Sequence, residues 1–136
     1  MADPTESALE QLLIASREAY EHSYSPYSRF RVGAAVLAAD GRVFRGTNVE
    51  NASYGLTVCA ERVAIFSAIA SGVTRLVALA VSMGSPTQAT SERMPCGACR
   101  QVMAEFMAAD AVILLGGEDT CRLADLLPRP FVLPSA

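Results

Sequence analysis

Three cysteines and one glutamate carry the first chemical signal in this 136-residue chain. They stand in two short segments, Thr57-Val58-Cys59-Ala60-Glu61-Arg62 and Pro95-Cys96-Gly97-Ala98-Cys99-Arg100. Each segment puts a cysteine at the predicted start of a helix. Unpaired backbone N–H groups and the helix dipole at such an end both favour thiolate over thiol, and the thiolate is the form that binds metal. Cys96 and Cys99 fall on one helical turn and can close on a single ion. With Cys59 they make three ligands, which leaves one tetrahedral position open. An open position separates a catalytic zinc from a structural one.

A single Cys-x-x-Cys is weak evidence, since it also suits a redox pair. The combination Cys-Ala-Glu with a later Pro-Cys-x-x-Cys is stronger, because it shares the skeleton of the zinc-deaminase signature, which admits three cysteines. Glu61 follows a ligand by two residues on the first turn of the same helix. It is placed to face the open position without ligating, to take a proton from the water there, to pass it to a ring nitrogen and later to help protonate a leaving amine. The plainer alternative is a carboxylate that only favours the helix dipole. Three thiolates overcompensate the charge of a zinc ion. Both helix N-termini restore positive field, and Arg62, nearly on the face of Cys59, adds to it; an ordinary surface ion pair is the alternative for Arg62.

The elements that must hold these residues can be read from periodicity and turn residues. Asp3-Pro4-Thr5-Glu6 reads as a helix start capped by Asp3, with Leu9, Leu12, Leu13 and Tyr20 on one face and a stop before Ser25-Pro26. Residues 32–38 and 43–49 flank Asp40-Gly41 and predict a hairpin. Residues 48–57 read as polar and irregular. A second helix is expected from Cys59 to Gly72, a strand over 76–81, and a surface loop over 83–95. A third helix is expected over 97–107 with Val102, Met103, Phe106 and Met107 inward, then a strand over 112–115 and a short helix over 123–127. Near-continuous apolar strands alternating with helices imply a sheet covered on both faces. The expected fold class is α/β, a three-layer α/β/α sandwich around a mixed sheet, in one domain spanning 1–136.

Composition narrows the partners. Apolar residues make up 51% of the chain and charged ones 18%, with a net charge of −3. The apolar excess suits a covered sheet, a subunit interface, or both. The acidic balance, with no basic run, argues against a nucleic-acid partner. No apolar stretch is long enough for a membrane span, and the first residues do not read as a secretory signal. The cytoplasm is the expected location, and four cysteines there suit metal or free thiols better than disulfides.

Taken together, the motifs resemble the cytidine deaminases of the small homotetrameric class, over about Tyr20 to Phe131. The resemblance rests on Tyr24-Ser25-Pro26-Tyr27-Ser28-Arg29-Phe30-Arg31-Val32-Gly33-Ala34-Ala35, on Gly46-Thr47-Asn48-Val49-Glu50-Asn51-Ala52-Ser53-Tyr54, and on the two cysteine segments extended to Gln101. It implies hydrolysis of cytidine or 2′-deoxycytidine to uridine or 2′-deoxyuridine with release of ammonia. It implies one Zn2+ per subunit on Cys59, Cys96 and Cys99, Glu61 as proton shuttle, and Arg62 in contact with the ligand sulfurs. Asn48 and Glu50 would hydrogen-bond the ribose 3′-hydroxyl side, with Phe30 and Ala60 beside the nucleoside. Tyr54 and Phe131 would reach across to neighbouring subunits of a homotetramer with shared pockets. The alternation of Asn48 and Glu50 independently suits an amide and a carboxylate pointing the same way; turn chemistry after a strand is their other reading. Met94 and Ser53 depart from the common pattern, at positions away from any ligand. Cys121 matches no motif and reads as a small buried or semi-buried thiol. His22 is the only histidine and reads as polar surface.

Two rivals stand beside this reading. A deaminase of a modified nucleoside or of a polynucleotide would keep the chemistry, but a polynucleotide needs a basic channel and stacking aromatics. A non-catalytic zinc module would normally use four protein ligands, and Cys121 lies far from the other motifs.

Overall fold

The computed structural model describes residues 3–84, 94–116 and 119–134. Helix α1 spans Glu6–Tyr20 and is followed by strands β1 (Val32–Ala38) and β2 (Val43–Thr47). A single 3-10 turn covers Tyr54–Leu56. Then come α2 (Ala60–Ala70), β3 (Leu76–Met83), α3 (Gly97–Phe106), β4 (Met107–Leu114), β5 (Thr120–Arg122) and the short α4 (Leu123–Leu126). The five strands form one sheet in the order β2-β1-β3-β4-β5. Only β3 and β4 run parallel; the other pairs are antiparallel. The mixed α/β sandwich expected from the sequence is the one observed.

All seven residues of β1 are buried, because both faces of this interior strand are covered. Alternate side chains separate the two layers. Val32, Ala34, Val36 and Ala38 pack with Ala60, Ala64, Ile65 and Ala68 of α2 and Met103 of α3. Ala35 and Leu37 pack with Leu12 of α1 and with Ala78 and Ala80 of β3. Two glycines set how close the helices come. A Cβ on Gly33 would stand 2.2 Å from the Ser16 carbonyl of α1, and one on Gly46 would stand 2.3 Å from the Ala64 nitrogen of α2. The amino-terminal turn of α2, which carries the Cys59 segment, therefore lies directly on the β2 backbone.

Several boundaries differ from the sequence expectation: α2 ends at Ala70 rather than Gly72, β3 runs on to Met83 and α4 ends at Leu126, and the larger departures are these. Thr5, not Asp3, caps α1: its hydroxyl accepts from Ala8 N at 3.1 Å, while the Asp3 carboxylate pairs with Arg122 at 2.9 Å. Strand β2 ends at Thr47 rather than Val49. Val49 instead exchanges both backbone bonds with Val58 at 3.0 Å, and its neighbours Asn48 and Glu50 bond Tyr24. Helix α3 stops at Phe106, and β4 starts at Met107 without an intervening loop. Met107 is thus a strand residue paired with Leu76, not the last inward residue of the helix; it is buried all the same. The edge strand β5 went unforeseen, since three partly exposed residues show no period. The expected loop over 83–95 falls mostly on residues outside those described.

Candidate active site

The Val49–Val58 bridge delivers the chain to Cys59, which stands in extended conformation as the cap residue of α2. Cys96 does the same for α3, following the buried Pro95. Neither sulfur caps its own helix by a hydrogen bond, so both remain directed at each other. Cys99 adds the third sulfur from the first turn of α3.

The Cys59 and Cys96 sulfurs are 3.8 Å apart, Cys96 and Cys99 are 3.4 Å apart, and all three lie within 4.8 Å of one another. These are thiol contacts, too long for disulfides, and all four cysteines are free. Sulfurs held tetrahedrally at about 2.3 Å from a zinc ion stand ~3.8 Å from one another. The trio therefore fits one zinc ion with little movement. Among the described residues it is the one group of this kind found. The charges agree with that fit. The Cys99 thiol bonding to Cys59, together with the Arg62 guanidinium, holds Cys59 down to about 5. The same bond and burial hold Cys99 well above the usual thiol range. Three thiolates this close repel one another unless a cation sits between them.

Arg62 donates from Nη2 to the Cys59 sulfur at 3.5 Å, and that bond strengthens its hold on its proton. Its Nε is the one buried side-chain nitrogen or oxygen without a hydrogen-bond partner among the described residues. Glu61 is 2% exposed. Burial, with the neighbouring Cys59 charge, pushes its carboxyl up to about 7. A carboxyl in that range exchanges protons readily near neutral pH. Ala60, between Cys59 and Glu61, is fully buried.

A second cluster lies on the other side of the Val49–Val58 bridge. Asn48 accepts at Oδ1 from Val32 N (3.0 Å) and from the Ser23 hydroxyl, and donates from Nδ2 to the Phe30 carbonyl at 2.9 Å. Glu50 accepts from Tyr27 N at 3.0 Å, Ser28 N at 3.1 Å and the Ser28 hydroxyl. Those bonds, led by the Ser28 hydroxyl, hold its carboxyl below the usual range. Together they brace a loop in which Arg29 adopts a left-handed φ of 59° and from which Phe30 packs against the core. The sequence did not reveal Ser23 and Ser28 as partners of Asn48 and Glu50. The pairing of Ser28 with Glu50 spans 22 positions and leaves no local signal.

Tyr54 and Phe131 are 76% and 68% exposed. Two clefts of the chain, about 600 Å3 beside Arg75 and Glu105 and about 310 Å3 beside Tyr24 and Arg29, are lined by none of the three sulfur residues.

Residues 6–115 match the family model described as the cytidine and deoxycytidylate deaminase zinc-binding region. The chain belongs to the cytidine and deoxycytidylate deaminase family. Among relatives in this deaminase family, the cytidine deaminase of Halalkalibacterium halodurans is 47% identical over 126 residues, covering 90% of this chain and 92% of that one. A Mycobacterium tuberculosis cytidine deaminase is 49% identical over 111 residues, 82% of this chain and 80% of its own. A solved cytidine deaminase from Mycobacterium tuberculosis superposes with a TM-score of 0.82 at 42% identity, covering 96% of this chain and all (100%) of that one. As in a zinc-binding deaminase, the sulfur trio of this chain provides for one zinc per subunit.

Proposed function

We propose that this chain hydrolyses cytidine and 2′-deoxycytidine to uridine and 2′-deoxyuridine, releasing ammonia. The observation that carries the reading is a buried Glu61 carboxyl two residues from a sulfur of a three-cysteine zinc site. Cys59, Cys96 and Cys99 hold the ion. When bound there, zinc supplies the Lewis acidity that brings the ionisation of a water toward neutral pH. Glu61 takes a proton from the water that adds to C4 of the base and gives it to the ring nitrogen N3. It then helps deliver protons to the amine as the C4–N bond breaks. Arg62 holds the thiolates' excess negative charge in check.

Asn48 and Glu50 take the ribose. Asn48 Nδ2 spends one of its two protons on Phe30, and the Glu50 carboxylate has lone pairs beyond its three bonds. Phe30 and Ala60 flank the nucleoside. Tyr54 and Phe131, apolar and exposed on the single chain, complete pockets of neighbouring copies in a homotetramer. The free cysteines suit the reducing cytoplasm, and among the described residues no helix is long and apolar enough to cross a membrane. An ultraviolet assay comparing cytidine, cytosine and a cytosine-containing oligonucleotide tests the substrate class. Cytidine is expected to turn over fastest; preference for the oligonucleotide contradicts the proposal. Sedimentation tests the assembly: a tetramer is expected, and a fully active monomer contradicts pocket sharing.

A further inference from the structure

The two residues that follow Cys99 grip the carboxyl-terminal segment. Arg100 donates from Nε to the Pro95 carbonyl at 2.8 Å, just ahead of Cys96, and from Nη1 to the Leu126 carbonyl at 2.7 Å, at the end of α4. Gln101 donates from Nε2 to the Phe131 carbonyl at 3.0 Å and accepts at Oε1 from the Phe131 N–H at 3.2 Å. A primary amide bonded to both backbone groups of one residue reproduces the two-bond pairing of an antiparallel ladder. It fixes the backbone of Phe131 and so the point from which its ring projects.

That hold has no use for the chain's own core. Residues 128–134 lie outside every helix and strand, and the Phe131 ring is 68% exposed. An irregular segment that carried only a solvated ring would need no anchor at that residue. The anchor springs from the first turns of α3, the helix that supplies two of the three sulfurs. We propose that Gln101 is a positioning residue: it sets the Phe131 ring at a fixed place relative to the α3 amino terminus, ready to pack on bound nucleoside in the assembled enzyme. Arg100 ties the same tail one step earlier, whereas Gln101 acts on Phe131 itself. The inference rests on the role given to Phe131 above.

The test compares wild type, Gln101→Leu, Phe131→Ala and the double variant by zinc content, steady-state kinetics with cytidine and amide exchange at residue 131. Gln101→Leu should keep its zinc while the Phe131 amide exchanges roughly tenfold faster. KM should rise roughly five- to tenfold with kcat within about twofold, the pattern of lost uniform binding. The double variant should show the KM of Phe131→Ala alone, because both changes remove one function. KM effects that multiply in the double variant overturn the proposal, since Gln101 then acts by another route. Wild-type KM for Gln101→Leu beside a raised KM for Phe131→Ala also overturns it, and leaves the Phe131 reading standing. Wild-type KM for Phe131→Ala removes both. If Gln101→Leu loses zinc, Gln101→Glu, which keeps only the acceptor, decides by the same KM comparison: no rise overturns the proposal.

Discussion

The Arg62 guanidinium meets the Cys59 sulfur at 3.5 Å from the same turn of α2, with its Nε buried and unpartnered. Leaving a buried donor unmet costs about 1–3 kcal/mol. The arrangement is tolerable because the sulfur cluster supplies negative potential. Arg62→Gln should therefore loosen the metal. The pH at which half the zinc is released should rise by roughly one unit, as protons compete better for the thiolates. A zinc-release titration with a colorimetric chelator checks this; an unchanged midpoint contradicts it.

Cys96 is the most exposed of the three sulfur residues, yet its sulfur lies 3.8 Å from that of Cys59 and 3.4 Å from that of Cys99. Cys96→Ala should lose most of its zinc and melt at a lower temperature than wild type, because metal binding and folding are coupled. Metal analysis of the purified variant, alongside a thermal melt, is decisive. Full zinc content would exclude Cys96 as a ligand.

Burial raises the folded-state pKa of Glu61 from 4.5 to about 7. The sign follows: stability is fully present while the carboxyl is protonated below 4.5, and it is lost as the pH rises through about 7. In zinc-free protein above pH 7, Glu61→Gln should be more stable than wild type, by up to ~3 kcal/mol. The difference should vanish below the unfolded-state value of 4.5. Denaturant melts of the two zinc-free proteins across that window measure it. A variant less stable than wild type at high pH contradicts the burial argument.

Gly46 bears the weight of α2. A Cβ there would stand 2.3 Å from Ala64 N and 2.6 Å from Ala60 O, both backbone atoms. Gly46→Ala should cost about 1–3 kcal/mol by overpacking, and should lower zinc occupancy because α2 begins at the Cys59 cap. Gly55→Ala, where a Cβ meets nothing within 4 Å, should stay within about 0.5 kcal/mol of wild type. Equal melting of the two variants contradicts the close-approach account.

The sulfur site was legible in the sequence because its geometry is local. One turn joins Cys96 to Cys99, and one turn joins Cys59, Glu61 and Arg62. Only the meeting of the two helix ends had to be supplied by the fold. The sheet was legible where both faces are covered, as in β1, whose seven buried residues form an apolar run. The helix-to-strand junction at Met107 was not, because Phe106 and Met107 suit either element and no glycine or proline marks the change. Exposed residues 108–110 further hid the start of β4. Asn48 and Glu50 were legible as polar residues at a strand end. Their bonds to Ser23, Ser28 and the loop backbone were not, since those depend on tertiary closure.

Metal-quantified Glu61→Ala protein, assayed for cytidine deamination by ultraviolet absorbance beside wild type, tests the central claim most directly. About one zinc per chain is expected in both proteins, with kcat in the variant reduced by roughly 10³-fold or more, as for loss of a general acid–base group. Full zinc with wild-type turnover would contradict the account, because the proton would then be moving without Glu61.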